Sequence, residues 1–223
     1  MISVIVPTLN EEQALPATLA ALLAQEGEFE VIVSDGGSTD GTHPIARRAS
    51  AVRLLRGRRG RALQMNAGAR AARGEWLLFL HADTRLPDRA LAQITTLPAR
   101  VRAGCFRQAF DVAHPLLRAI SRIHNWRCRR TRIMYGDQAM FVRRDLFQIV
   151  GGFPEVGKLE DVLLSERLRA LTVPVMLEAT VVTSARRFLA HGIARSFARI
   201  LLILICHRFG LSLRGTRFFE PVR

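Results

Sequence analysis

Through its first hundred residues the chain alternates two hydrophobic patterns. Short continuous apolar runs, "ISVIVP" at 2–7, "FEVIVSD" at 29–35, "AVRLLR" at 51–56 and "EWLLFLHAD" at 75–83, carry the β-branched and aromatic residues of strands buried on both faces. Between them apolar residues recur at helical spacing: Leu15, Leu19, Leu22 and Leu23 on a helix from Glu11, then helices over about 44–50 and through "ALQMNAGARAA" at 62–72. Repeated strand–helix units of this length predict an α/β fold with a mostly parallel sheet and helices on both faces.

The second half is less regular. "AGCFRQAFDV" at 103–112 and "GDQAMFVRR" at 136–144 read as strands around a helix over about 115–130. "GGFPE" is a turn, "EDVLLSERLRAL" at 160–171 a helix, "VPVMLEATVVTS" at 173–184 a strand or pair, and 193–208 a last helix. With no repeat or low-complexity linker, 1–223 reads as one domain: a ligand-binding half at 1–100, a second half at 101–188, and a C-terminal helix at 189–223.

Ligands of such sheets bind outside the carboxyl ends of the strands. Four loops share that edge: "PTLNE" at 7–11, "DGGSTDGT" at 35–42, "GRRGRA" at 57–62 and "HADT" at 81–84. Each chemical candidate there has a plainer structural reading. The glycine-rich loop after Asp35 lacks the Walker A and G-x-G-x-x-G spacings, and is either a helix-capping turn at Asp40 or Thr42 or a ligand loop in which Asp35 meets a base or ribose hydroxyl. Asp83 is either a cap for the helix after Pro87 or a carboxylate for a hard divalent ion shared with a diphosphate. Glu160 and Asp161 are either dipole-favoured acids at a helix start or a fixed general base. A lone His191 reads as structural before it reads as a metal ligand.

Charge narrows the partners. The net charge is +14, carried almost wholly by arginine, since Lys158 is the only lysine; an anionic partner such as a nucleotide or phospholipid surface fits this. Nucleic acid does not, because the arginine-rich 118–132 stretch lacks an interleaved aromatic series. Cys105, Cys128 and Cys206 have no paired spacing, which fits a reducing cytosol, and "MISVIVP" lacks the basic start of a signal peptide. The apolar run "ILLILIC" at 200–206 is far shorter than the ~20 residues of a membrane span. The helix carrying it packs on the core or a second subunit, or docks on the anionic inner face of a membrane.

In order and spacing, "VIVPTLNEE", "VIVSDGGSTDGT", "GRALQMNAGARAARGEWLLFLHADT", "GDQAMFVRRDLFQIVGGFPE" and "LEDVLLSERLR" resemble the inverting nucleotide-sugar glycosyltransferases of family 2. The "HADT" and "GDQAMFVRR" forms are similar to a branch known as radical-SAM/selenodomain-associated transferases. The resemblance implies a GT-A fold and a UDP- or GDP-sugar donor, with the acceptor left open between a hydroxyl and a lipid phosphate. It places Pro7, Thr8, Glu11, Asp35, Gly36, Arg61 and Arg187 around the nucleotide and diphosphate. Asp83 would hold Mg²⁺ or Mn²⁺, and Asp161, with Glu160, would supply the catalytic base. His81 stands where the family's D-x-D motif has its first aspartate, which leaves a leaner metal site. The Q-x-x-R-W motif of processive members is absent; "SARRF" at 184–188 echoes it faintly, so a single transfer is implied. A nucleotidyltransferase on a similar sheet is the alternative.

Overall fold

The most apolar run becomes the centre of the fold. In the computed structural model, which describes residues 1–156 and 159–208, β1 (Ile2–Thr8) is buried along its whole length. The expectation for 209–223 lies outside the described residues. Parallel β2 (Phe29–Asp35) and β4 (Trp76–Phe79) flank β1, and β3 (Val52–Arg56) adds to β2. Thr8 is level with Asp35, and Asp35 with Arg56, so three strands release their loops at one edge. Helices α1 (Leu15–Leu23), α2 (Thr42–Arg48) and α3 (Arg61–Ala71) make the connections.

Alternation along β1 divides the core. Val4 and Val6 join the cluster that receives Leu15, Leu19 and Leu22 of α1. Ile5 points the other way, to Met65 and Ala69 of α3. The glycine in the α3 motif sets that helix close: a Cβ on Gly68 would lie 2.4 Å from Ile5 Cγ2.

The remaining elements complete an eight-stranded sheet of order β3-β2-β1-β4-β7-β6-β8-β5. They are β5 (Thr84–Arg85), α4 (Ala90–Thr95), β6 (Ala103–Phe110), α5 (Pro115–Thr131), β7 (Met140–Arg143), α6 (Arg144–Ile149), α7 (Glu160–Leu171), β8 (Val175–Thr183), α8 (Arg186–His191) and α9 (Ile193–Arg208). β7 runs antiparallel between β4 and β6, while β8 is parallel to β6. The two-residue β5 pairs with the end of β8, Thr84 opposite Thr183, and the Ser184 N–H donates to the Asp83 carbonyl at 3.0 Å. That pairing carries the start of α8 to the edge where β4 ends.

Several expected boundaries are corrected. Pairing of the fourth strand stops at Phe79, so His81 and Asp83 lie in a turn rather than on a strand. α1 begins at Leu15 instead of Glu11, with Pro16 in its first turn, and Leu23 is exposed. In "GDQAMFVRR" the first three residues form a 3-10 turn, Gly136–Gln138, because Gln138 folds back onto Tyr135. The 173–184 stretch is one strand, bulged between Phe106 and Arg107 of its partner. The short helices α6 and α8 were not foreseen.

Candidate active site

A cavity of about 550 Å³ opens at the carboxyl edge of the sheet. Pro7, Thr8 and Glu11 reach it from β1, Arg59 to Arg61 from the start of α3, and His81 and Asp83 from the end of β4. Glu160 and Asp161 enter at the start of α7, and Arg187 on α8. Eight of the expected site residues therefore share one wall. Asp35 and Gly36 do not lie on it.

Asp35 is fully buried, and its carboxylate is satisfied by the protein. It accepts the Thr8 hydroxyl at 2.9 Å, the Gly37 and Ser38 N–H groups at 2.8 Å each, and the Ser38 hydroxyl. His43 Nε2 approaches to 2.6 Å. The unmet need expected of this buried acid is thus filled by its own loop. Burial works against its ionisation, but the Ser38 hydroxyl and N–H, His43 and Gly37 outweigh it and hold the pKa down to about 2. A carboxyl whose folded pKa lies below the ordinary 3.8 stabilises the fold above that value and stops doing so as pH falls through about 2. In Asp35→Asn, the unfolding free energy measured from pH 7 down to pH 2 should lose this part of its slope. Gly36 sits against Gln64, whose Nε2 donates to the carbonyls of Thr8 at 2.6 Å and Ser34 at 2.9 Å. Gln64 ties the ends of β1 and β2 together, a role the helical pattern does not disclose.

The paired acids on α7 take different parts. Glu160, 2% exposed, is ion-paired and hydrogen-bonded to Arg61 Nε. Its carboxylate fixes the guanidinium and faces no open solvent. Asp161 accepts the Gly136 N–H on Oδ2 and the Val162 N–H on Oδ1, both at 2.8 Å. Each oxygen keeps lone-pair capacity toward the cavity. Burial, and then the charge of Glu160, raise the Asp161 pKa against the pull of Arg61. The helix-start reading and the site reading are here the same geometry: Asp161 accepts an N–H of the first turn of α7 and lines the cavity.

The turn before β7 presses on this acid from the other side. A Cβ on Gly136 would lie 2.5 Å from His81 Nε2, so only glycine lets the turn reach both His81 and Asp161. Non-glycine residues with left-handed backbones stand beside the acids, Ala139 near Asp137 and Leu159 before Glu160; such conformations cluster at functional sites. Asp137, Tyr135, Arg127 and His124 also line the cavity, with the Arg127 guanidinium 4.0 Å from the Tyr135 ring centroid and His124 Nε2 3.3 Å from Asp137 Oδ1. Sequence reasoning missed this group. The "GDQ" turn is the local signal that could have found it.

On the remaining side Arg186 bridges Glu11 at 2.5 Å and Asp83 at 3.4 Å, while Arg187 stands on the wall. Burial and the neighbouring Arg61 and Arg186 lower the Arg187 pKa, against the attraction of Asp83. Three arginines thus stand close together here, Arg61 ion-paired to Glu160 and Arg186 to Glu11 and Asp83, with Arg187 beside them. His81 is pushed down to about 4, first by burial and then by Arg61, and is neutral near pH 7. His191 lies at the end of α8, off the wall. Among the described residues no group of three or more His, Cys, Asp or Glu is placed to hold a metal. Asp83 offers one carboxylate at the cavity, which fits a hard divalent ion that takes its other oxygens from phosphate and water.

Residues 3–147 match the profile described as "Glycosyl transferase family 2". The chain belongs to glycosyl transferase family 2. A "PGL/p-HBAD biosynthesis glycosyltransferase" of Mycobacterium bovis is 44% identical over 93 residues, which cover 39% of this chain and 36% of the relative. An "Undecaprenyl-phosphate 4-deoxy-4-formamido-L-arabinose transferase" of Aeromonas hydrophila is 32% identical over 105 residues, 42% of this chain and 32% of the relative. The chain thus spans about a third of the length of these curated relatives. The S. aureus TarS crystal structure superposes with a TM-score of 0.69 at 21% identity, covering 82% of this chain and 36% of that one. The Pyrobaculum calidifontis mannosyltransferase PcManGT, solved with GDP-Man and Mn²⁺, gives a TM-score of 0.66 at 26% identity, covering 81% and 56%. The architecture is GT-A.

Proposed function

We propose that this family 2 enzyme moves a sugar from a nucleoside diphosphate to an acceptor hydroxyl, with inversion at the anomeric carbon, once per encounter. One observation carries the reading: a single cavity brings Asp161, Arg61, Asp83 and Arg187 together from four separate segments. The nucleotide sugars held by related structures, GDP-Man in PcManGT and UDP-GlcNAc in TarS, support a donor of this class.

In this reading Pro7, Thr8 and Glu11 border the nucleotide, and Arg61 and Arg187 face the diphosphate. Asp35 and Gly36 act one layer back, by holding the loop that follows β2. The acceptor oxygen attacks the anomeric carbon opposite the diphosphate, the bond to the phosphate oxygen breaks, and the acceptor proton passes to Asp161. Glu160 acts through Arg61, as a positioning residue. Charge accumulates on the departing diphosphate, so preorganised cations there lower the barrier most. Asp83 would hold Mg²⁺ or Mn²⁺, which neutralises diphosphate oxygens when bound. Arg186 keeps Glu11 and Asp83 in place around that position.

Product analysis tests the proposal against its rival. Release of a nucleoside diphosphate, with a sugar product of anomeric configuration opposite to the donor, is the expected result. Pyrophosphate release would mark a nucleotidyltransferase instead. The same reading places the enzyme in the cytoplasm, where such donors are made, acting without nucleic acid.

A further inference from the structure

The cavity has two unlike halves. Its charged half meets the expected donor. The other half, between α5 and α9, is walled by Phe110, Ile120, Ile123, Phe197, Ile200 and Leu201. A sugar diphosphate has no use for this wall, because hydroxyls and phosphates buried there would lose water and find no partners.

The apolar wall also runs outward. Ile123 and Leu201 line the cavity yet are 52% and 49% exposed, so they mark its mouth. Trp126 on α5 and Leu202 and Ile205 on α9 continue the surface, each 44% exposed or more. α9 is held from beneath, by Ile203 against Leu159 and Val162 and by Ile193 and Ile200 against the cluster around Phe188. The core-packing expectation for this helix is therefore met by one face only. Exposed Arg118, Arg122, Arg195 and Arg199 stand on the same two helices. An apolar mouth flanked by arginines complements an apolar chain rising from anionic headgroups.

We infer that the acceptor is a membrane lipid whose apolar chain lies between α5 and α9, with its hydroxyl head delivered to Asp161 and its host bilayer anionic. The inference rests on the transferase reading, which it deepens by naming the acceptor class. Among the described residues no helix is long and apolar enough to cross a membrane.

The test uses the full chain and cis-parinaric acid, a fluorescent 18-carbon chain. Its emission should rise saturably on binding and fall when dodecanol, but not butanol, is added. Ile123→Glu with Leu201→Glu, both at half-exposed positions that leave the core intact, should weaken binding about ten-fold or more. The wild type should co-sediment with vesicles of phosphatidylcholine and phosphatidylglycerol, with a blue shift of Trp126, and not with phosphatidylcholine alone. Absent chain binding, or equal binding by the double variant, overturns the inference. So does a dimer in analytical ultracentrifugation that this variant dissociates, since a second copy would then own the surface. Nucleoside diphosphate binding is measured in parallel on both proteins. Its retention in the variant confirms that the charged half is intact. Its absence in the wild type overturns the transferase reading on which the acceptor assignment stands.

Discussion

Asp161→Asn should lower kcat by roughly 10²–10⁴-fold while nucleoside diphosphate binding stays within a factor of a few of the wild type. The amide keeps the size of the carboxylate and, through its carbonyl oxygen, one backbone hydrogen bond, but it cannot take a proton. The Asp161 carboxylate touches the cavity, whereas the proposed nucleotide contacts lie on β1, α3 and α8. The pH profile separates loss of a base from loss of shape. Asp161 must be ionised to act, and burial followed by the Glu160 charge raises its pKa. Turnover should accordingly climb with pH through a limb above the ordinary carboxylate value of 3.8, and the variant should lack that limb. The same shift implies that Asp161 costs stability as pH rises through its folded pKa, since its neutral form is the one the fold favours. A variant with unimpaired kcat would remove Asp161 from the base role.

Arg61→Met should destabilise the fold by about 3 kcal/mol in denaturant unfolding near pH 7, the low end of the range for stranding one charge of a buried pair. Glu160 is 2% exposed and loses its ion-pair partner, whereas Arg61 itself retains 32% exposure, which tempers the loss. Adding Glu160→Gln to Arg61→Met should return most of the stability, because no buried charge then remains unpaired. Activity should stay low in both, because the guanidinium proposed to face the diphosphate is gone. Equal stability of the single and double variants would show that the pair is not a buried charge pair in solution.

Much of the charged half of the cavity was legible in the sequence. Strands buried on both faces leave continuous apolar runs, and the residues ending those runs at Thr8, His81 and Asp83 fall on one edge because parallel strands must release their loops there. Asp161 was legible for the same local reason, as an acid at a helix start. Asp35 shows where the sequence stops short: Ser38, in the loop that follows, and His43, on α2, satisfy its carboxylate, and a satisfied acid looks in sequence like one awaiting a ligand. The rest of the cavity was not legible. It depends on contacts across the fold: Tyr135 and Arg127 stacked beside Asp137, Arg186 bridging Glu11 across 175 positions, and α9 resting on Leu159. No periodicity along the chain encodes pairings of that range. The same holds for the division of labour between Glu160 and Asp161, which depends on Arg61, 99 positions away.

The central claim is that the charged half of the cavity binds a nucleoside diphosphate, and thermal unfolding with UDP, GDP and related diphosphates, each with Mn²⁺ or Mg²⁺, tests it most directly. At about 100 times its dissociation constant the matching nucleotide should add about 2.7 kcal/mol of stability. Asp83→Ala should abolish the part of that gain that depends on the ion, with the metal-free response retained. No stabilisation by any nucleoside diphosphate, with either ion, would contradict the account.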